Sequence, residues 1–369
     1  MRTSLLAFGC AVVLAACGSS GTTDGNGSTG GSSSSSGGGS SSGASGSSGG
    51  SGGSSSGAGD DGGTAGDTGA PPGSYTITFG PIQVPPSTEK TQCIIERLGN
   101  AAPLHVGQIH DLLGTSSHHM IVYKVNDTTE QKTPFDCQPF QGALNPANGN
   151  PLIISQKKDD LLTLPPNVAF TLDANQMIRF EMHYINATTQ TVTLQSSTTM
   201  IPIPDADYKW DASFLFIGDM DISIPPMSSF TLGPQFFPMP SQFNTSNFFA
   251  ITGHEHQWGT KVQVWDSKQS GDLSSLRYTN TTWSDPVTTQ YAPPLRIGSG
   301  GGFTYQCDWY NASSSTVGFG ESANDEMCFF WAYYWPSQGA QVCFQSKNLA
   351  PVGGTACCPM AGAAICNNL

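Results

Sequence analysis

Five of the seven histidines stand in patterns that could ligate a metal. His254-Glu255-His256 places two imidazoles at i and i+2. On a strand these share one face, with Glu255 on the other, so the pair could hold one ion. Imidazole suits copper, zinc, iron and nickel. For this motif alone, an exposed or hydrogen-bonded pair is the plainer reading. His118 and His119 are neighbours, which face opposite ways on a regular strand; both reach one ion only at a strand end or a bulge. His183 alternates with apolar residues and by itself reads as a solvated strand histidine. Met327 heads the run Met327-Cys328-Phe329-Phe330-Trp331. Its thioether is soft and favours Cu(I) over Zn(II), although for this residue alone core packing is the better reading. Cys328 points to the opposite face, free to form a disulfide. His105 and His110 match no ligand pattern, so solvated or hydrogen-bonded roles are expected.

The elements that would position these side chains are short strands. Ile178, Phe180, Met182 and Tyr184 alternate with Arg179, Glu181 and His183, whose polar face is expected to look toward a cleft. Met327, Phe329, Trp331, Tyr333 and Trp335 share one face of another run. Pro165-Pro166, Pro225-Pro226, Pro293-Pro294 and the glycines at 298 and 300–302 punctuate the chain, and no apolar stripe of helical period is sustained. The glycine loop precedes no helix, so it is no phosphate cradle. The expected fold is all-β, as two tandem antiparallel β-sandwich (jelly-roll-like) domains. Their expected bounds are 71–203 and 204–342, parted at Ile201-Pro202-Ile203-Pro204, with a Cys-rich tail at 343–369.

What precedes residue 71 is of another kind. Residues 18–70 hold 21 of the 44 glycines and no aromatic, Leu, Ile or Val, so this stretch cannot bury a core and reads as a disordered tether. Arg2 and the apolar run Leu5 to Ala16 form an export signal, too short to span a bilayer. The ending Leu14-Ala15-Ala16-Cys17 resembles a bacterial lipobox, implying a signal peptide at 1–16 and lipidation of Cys17. Gly18 after the cysteine implies the outer membrane, with the lipid anchor as the membrane contact. Of the net charge of −13, about −10 remains on residues 71–369, which argues against nucleic acid. Export implies disulfides among the eight remaining cysteines. Cys343, Cys357, Cys358 and Cys366 are expected to form two disulfides rather than a zinc site, with Cys357 and Cys358 each pairing elsewhere.

Taken in order, four motifs resemble one family. They are Ser117-His118-His119-Met120, then Phe180-Glu181-Met182-His183-Tyr184, then Gly253-His254-Glu255-His256, then Asp325-Glu326-Met327-Cys328. Their ligand positions are 64, 71 and 71 residues apart. This ordered set is similar to the copper type II, ascorbate-dependent monooxygenases, the group of peptidylglycine α-hydroxylating monooxygenase and dopamine β-monooxygenase. Trp210-Asp211-Ala212-Ser213 and Ile224-Pro225-Pro226 add secondary matches, and the resemblance covers about residues 75–340. It implies one copper held by His118, His119 and His183, and a second, separate mononuclear copper held by His254, His256 and Met327. It implies that O₂ and substrate meet the Met327 site, that the all-histidine site supplies an electron across an interdomain cleft, and that ascorbate is the donor. It also implies the disulfides Cys93–Cys137 and Cys307–Cys328.

The sequence departs from the peptide-amidating members. Thr252 stands where they carry an arginine, and Trp331 where they carry a tyrosine, so peptide α-amidation is not expected. Glu255 replaces a small hydroxyl and, on a regular strand, points away from the metal. The face of Phe329, Trp331 and Tyr333 reads as core slightly more readily than as a substrate wall. The leading expectation is a tethered, monomeric dicopper enzyme that hydroxylates an aliphatic or benzylic C–H bond of a small molecule with O₂ and ascorbate or another one-electron donor. A non-catalytic copper-capture or delivery lipoprotein shares the same ligands. A structural or adhesive surface lipoprotein would leave the histidines incidental.

Overall fold

Strands form nearly all the regular structure of residues 70–138, 149–320, 322–349 and 354–358, the residues that the computed structural model describes. The leader, Cys17, most of the glycine-rich tract and Cys366 lie outside the described residues. Among the described residues the only helical turns are the 3-10 segments Asp205–Asp207 and Ser241–Phe243. No helix there is long and apolar enough to cross a membrane. The all-β expectation therefore holds.

The first half contributes two sheets. One runs Tyr75–Val84, Val192–Ile203, Leu104–Leu112, Val168–Leu172, Trp210–Asp211, with Asp159–Thr163 also on Leu104–Leu112. The other runs Gln131–Asp136, Thr88–Arg97, Met177–Asn186, Ser117–Val125, Asn150–Ser155. The second half has a six-stranded sheet in the order Thr289–Leu295, Asn247–His254, Cys328–Trp335, Ser213–Asp219, Gln341–Gln345, Thr355–Cys358. Its four-stranded sheet runs Ser228–Pro238, Gly302–Asn311, Gly259–Ser267, Leu276–Asn280. Pairing between these strands is antiparallel except where Trp210–Asp211 meets Val168–Leu172 and where Ser213–Asp219 meets Gln341–Gln345; outside them, Phe319 and Glu326 form an isolated parallel bridge. Trp210–Asp211 thus pairs with a first-half strand, and the second-half sheet continues past residue 342 into the cysteine-rich segment.

One strand shows how burial shapes sequence here. Cys328–Trp335 is apolar at every position because both of its faces are buried. Phe329, Trp331 and Tyr333 join the hydrophobic cluster that also holds Met120, Val122, Phe180 and Met182 of the first half. Cys328, Phe330, Ala332 and Tyr334 join the second half's own cluster with Val264, Phe303 and Tyr305. Tyr333 also accepts the Ile154 amide at 3.3 Å, tying the halves by a polar contact. The three aromatics are each 1% exposed, so they are core, as expected.

The two halves repeat one corner. Asn186 Nδ2 donates to the Val84, Pro85 and Gln190 carbonyls at 2.9, 3.0 and 2.8 Å. Asn311 Nδ2 donates to the Ile224, Pro225 and Ser315 carbonyls at 3.1, 3.1 and 2.8 Å. The register follows suit: Thr88 faces Asn186 and Thr91 faces His183, while Ser228 faces Asn311 and Thr231 faces Asp308. The next strand is bulged in both halves. The register shifts between Ser117 and His119 in one and between Gly259 and Lys261 in the other. These shifts set His119 opposite His183 and Lys261 opposite Asp308.

The disulfides Cys93–Cys137 and Cys307–Cys328 are formed, as the resemblance implied. Cys343 bonds to Cys357, and Cys358 is also disulfide-bonded, so the adjacent pair does not bond to itself.

Candidate metal centre

The three-histidine set is produced by register. His119 lies directly opposite His183 on adjacent antiparallel strands, so the two rings share a face. The bulge at residue 118 lets His118 reach the same side as His119, the exception that two neighbouring histidines require. The ligand atoms of His118, His119 and His183 all lie within 4.8 Å of one another. Ring centroids are 4.9–5.3 Å apart. Lys158 pins the start of the bulged strand by donating to the Ser117 and Gly114 carbonyls at 2.8 and 3.1 Å.

Burial is nearly complete at this set: His118 is 7%, His119 1% and His183 4% exposed. Burial first, and the neighbouring imidazoles second, hold His118 and His119 well below the ordinary histidine range. Their rings are therefore neutral, the form that ligates metal. His183 Nε2 donates to Glu89 Oε1 at 3.1 Å, and its Nδ1 is buried with no hydrogen-bond partner. His118 Nε2 is likewise buried without one. The bond from His183, as the largest cause, holds the Glu89 carboxyl down at about 2.

The second set is built at a strand end. His254 closes the strand Asn247–His254, and His256 follows two residues on, with ring centroids 4.9 Å apart. His254 Nδ1 bonds to Gln156 Oε1 of the first half at 2.9 Å, which fixes Nε2 as the nitrogen to ligate. His256 Nδ1 bonds to the Asp325 carbonyl at 3.2 Å, and its Nε2 is buried without a hydrogen-bond partner. Burial pushes His256 down to about 4 and His254 well below its usual range.

Glu326 organises this end. Its carboxylate accepts the His256, Trp258 and Met327 amides at 2.9, 2.7 and 3.3 Å and the Trp309 indole N–H at 2.9 Å. Burial still pushes it up to about 7. Met327, itself buried, follows directly and joins the cluster shared by both halves, while Cys328 faces the other way into its disulfide. Glu255 is buried against Gly259, where a Cβ would come within 2.5 Å of its own Cβ. Burial, then repulsion from Glu326, raises the Glu255 carboxyl well above its usual range.

The two sets abut. His118 and His256 have ring centroids 6.0 Å apart, and His119 and His254 6.4 Å, only slightly more than within either set. Trp283 caps this seam, half-buried, with its ring 5.8 Å from His118. The polar face of Met177–Asn186 does not open on a cleft, contrary to expectation. Glu181 is fully buried and accepts the Tyr123 hydroxyl at 2.9 Å, while Arg179 lies 4.4 Å over the same ring. That face is filled by a buried aromatic partner, Tyr123, which alternation alone cannot reveal. Thr252 bonds to Thr288 at 2.8 Å and pairs in register with Trp331, so neither departure position supplies a cation.

His105 and His110 stay outside the centre. His105 bonds to Thr171 and stacks on Tyr208 at 3.6 Å, and His110 bonds to Asp159 at 2.8 Å. Sequence reasoning missed Glu89, Gln156, Glu326 and Trp283. Glu326 could have been suspected from its place beside Met327; the other three carry no local signal, because their partners are far away in sequence, in the opposite half for Gln156 and Trp283 and in both halves for Glu89.

Residues 212–352 match the C-terminal domain of the copper type II ascorbate-dependent monooxygenases. The match takes in 141 of the chain's 369 residues, so the second half of the chain is similar to that family's C-terminal domain. Tyramine beta-hydroxylase of Caenorhabditis briggsae is 25% identical over 181 residues, which are 46% of this chain and 30% of that protein. The chain thus spans less than a third of this curated relative's length. Among solved structures, the major capsid protein of bacteriophage PM2 aligns with a TM-score of 0.33 and 8% identity, over 72% of this chain and 99% of that one. PNGase F, a glycosylasparaginase from Flavobacterium meningosepticum, aligns at 0.30 and 9%, over 72% and 97%. The family match contains His254, His256 and Met327, whereas the three-histidine set precedes it. Buried imidazoles, with ring nitrogens of His118, His183 and His256 that have no hydrogen-bond partner, together with a thioether, suit the copper that the family uses.

Proposed function

We propose that this chain is an active copper monooxygenase of that family, one that hydroxylates a C–H bond of a small organic molecule. One oxygen atom of O₂ would enter the substrate and the other would leave as water, with two electrons drawn singly from ascorbate or an equivalent donor. The observation that carries this reading is the convergence of His118, His119 and His183 within 4.8 Å beside the family's His254-Glu255-His256 pair. Copper at these ligands would supply one-electron steps between Cu(I) and Cu(II).

The chain's own residues hold and insulate that chemistry. His118, His119 and His183 form the electron-supplying set, and His254, His256 and Met327 the set that meets O₂ and substrate. The soft Met327 sulfur favours the reduced metal. Glu89, Gln156 and the Asp325 carbonyl select the ring nitrogen offered by His183, His254 and His256. The short gap between sets gives an electron a direct path across packed imidazoles. Without a cation at Thr252 or Trp331, a substrate carboxylate finds no clamp there, so we infer an uncharged or differently held substrate.

The test is anaerobic Cu(I) loading followed by ascorbate-dependent O₂ uptake. Two coppers per chain, with uptake abolished in Met327→Ala, support the reading; fewer than two coppers, or uptake indifferent to that change, overturn it. Burial of all six ligands favours a second reading, a copper-holding protein without turnover, marked by tight binding and no O₂ uptake with any donor. We infer further that the chain is a monomeric lipoprotein, tethered through Cys17 to the outer membrane and outside nucleic-acid contact. Metabolic labelling with a fatty acid, abolished by Cys17→Ala, tests the anchor.

A further inference from the structure

We propose that Glu89 is a positioning residue that locks the two ligand sets together through a single carboxylate oxygen. Glu89 lies on the strand Thr88–Arg97, diagonal to His183 on the adjacent strand. Its Oε1 accepts His183 Nε2–H at 3.1 Å, the Ala323 amide at 3.1 Å and the Ser322 hydroxyl at 3.5 Å. The last two donors belong to the other half and sit in the turn that leads to Met327. That same turn supplies the Asp325 carbonyl to His256 Nδ1 and runs into Glu326, which holds the His256 amide. One oxygen therefore fixes which nitrogen His183 can offer and where the turn that orients His256 and Met327 must lie.

The chemistry agrees with this role. A carboxylate on the far nitrogen of an imidazole sets its tautomer and strengthens it as a ligand. With Nε2 committed to Glu89, the buried and unpartnered Nδ1 of His183 is the ligating atom. Glu89 is a lone acid on its strand face, and the Ala323 contact lies 234 residues away in sequence. The inference rests on the proposed copper function for its consequences, but its geometry can be read in the metal-free protein.

The experiment uses the full chain as wild type, Glu89→Gln and Glu89→Ala. In metal-free protein, histidine nitrogen NMR should show His183 protonated at Nε2 in wild type and in Glu89→Gln, which keeps an acceptor oxygen, and should lose that preference in Glu89→Ala. Exchange of the Ala323 amide should speed up by about tenfold in Glu89→Ala alone. Competition with a Cu(I) chelator should then show affinity at the three-histidine set falling about 10–100-fold in Glu89→Ala. In a His183→Ala background, where the direct contact is gone, adding Glu89→Ala should still weaken copper at the His254, His256 and Met327 set. An unchanged His183 tautomer and Ala323 exchange rate in Glu89→Ala overturn the proposal. So does a Cu(I) loss confined to the first set. Wild-type protein that binds no copper sinks the functional reading, while the NMR and exchange results still decide on Glu89.

Discussion

The bulged corner occurs twice, and its two versions do opposite things. In the first half it carries His118, His119 and His183; in the second, the same positions carry Thr260, Lys261 and Asp308. Lys261 Nζ and Asp308 Oδ2 form an ion pair at 2.9 Å where the first half sets two imidazoles edge to face. The backbone device, a bulge opposite a strand that ends in an asparagine clamp, is common to both. In the first half it brings three imidazoles to one side; in the second the matching register pair is a salt bridge, and Thr260 bonds to the Asp308 carbonyl instead. The second half places its ligands elsewhere, on the sheet that faces the first half, and uses Glu326 instead of register to align them.

The sharpest way to break this comparison is to remove Glu326. Glu326→Ala leaves four buried donors unpaired and should cost about 3 kcal/mol or more in urea unfolding, with loss of the second copper. Glu326→Gln, which keeps acceptors, should lose less; equal stability of Ala and wild type would refute the organising role. Next, His183→Ala should remove the first copper in metal analysis, whereas Asp308→Ala at the matching position should leave copper content unchanged. Asp308→Ala should also cost under about 1 kcal/mol, since this ion pair is partly exposed. Equal copper loss in both variants would refute the division of roles. A sharper form is the triple change Thr260→His, Lys261→His and Asp308→His. It should create an extra Co(II) site visible by absorbance and raise the melting temperature with metal, because a ligand bound to the native state stabilises it. No added Co(II) would mean that the corner alone does not make a site.

The smallest expected effect is a difference in pH dependence between the halves. Asp111 is fully buried, accepts Ser155 Oγ at 2.7 Å, and is pushed up to about 7 by burial. Its protonated form is favoured by folding, so its contribution is present below about pH 4 and is lost as pH rises through about 7. Asp308 is raised by burial but pulled lower still by bonds from Thr231, Lys261 and Gln306. Its contribution is present above the ordinary aspartate range and is lost on acidification. Wild type should therefore lose stability relative to Asp111→Asn as pH rises from about 4 to about 7, read from urea midpoints. A pH-independent gap between them would contradict this.

Sequence made some of these features legible and hid others for definite reasons. The strands announced themselves wherever one face was polar, as at Met177–Asn186. The candidate ligand residues stood out as ordered motifs, and the His118-His119 pair called for a strand end or a bulge, since adjacent histidines cannot otherwise share an ion; the structure has the bulge. The filled face of Arg179 and Glu181 was not legible, because a polar residue on a strand reads alike whether it meets water or a buried partner. Glu89 and Gln156 were invisible for another reason. Each acts across the seam between halves, and one sequence without contacts says nothing about pairs that far apart. The repeated corner was equally hidden, since Asn186 and Asn311 share a backbone task while their flanking side chains differ.

The disulfides carry one more consequence. All seven described cysteines are oxidised, and two of the bonds begin within a few residues of the centre, Cys328 beside Met327 and Cys93 on the strand of Glu89. Thiolates are the softest donors a chain possesses and would outcompete a thioether for Cu(I). Sealing these seven removes them as rivals for the metal. On the proposed copper function, oxidation would therefore have to precede metallation, since a reduced chain would offer copper these sulfurs instead of Met327.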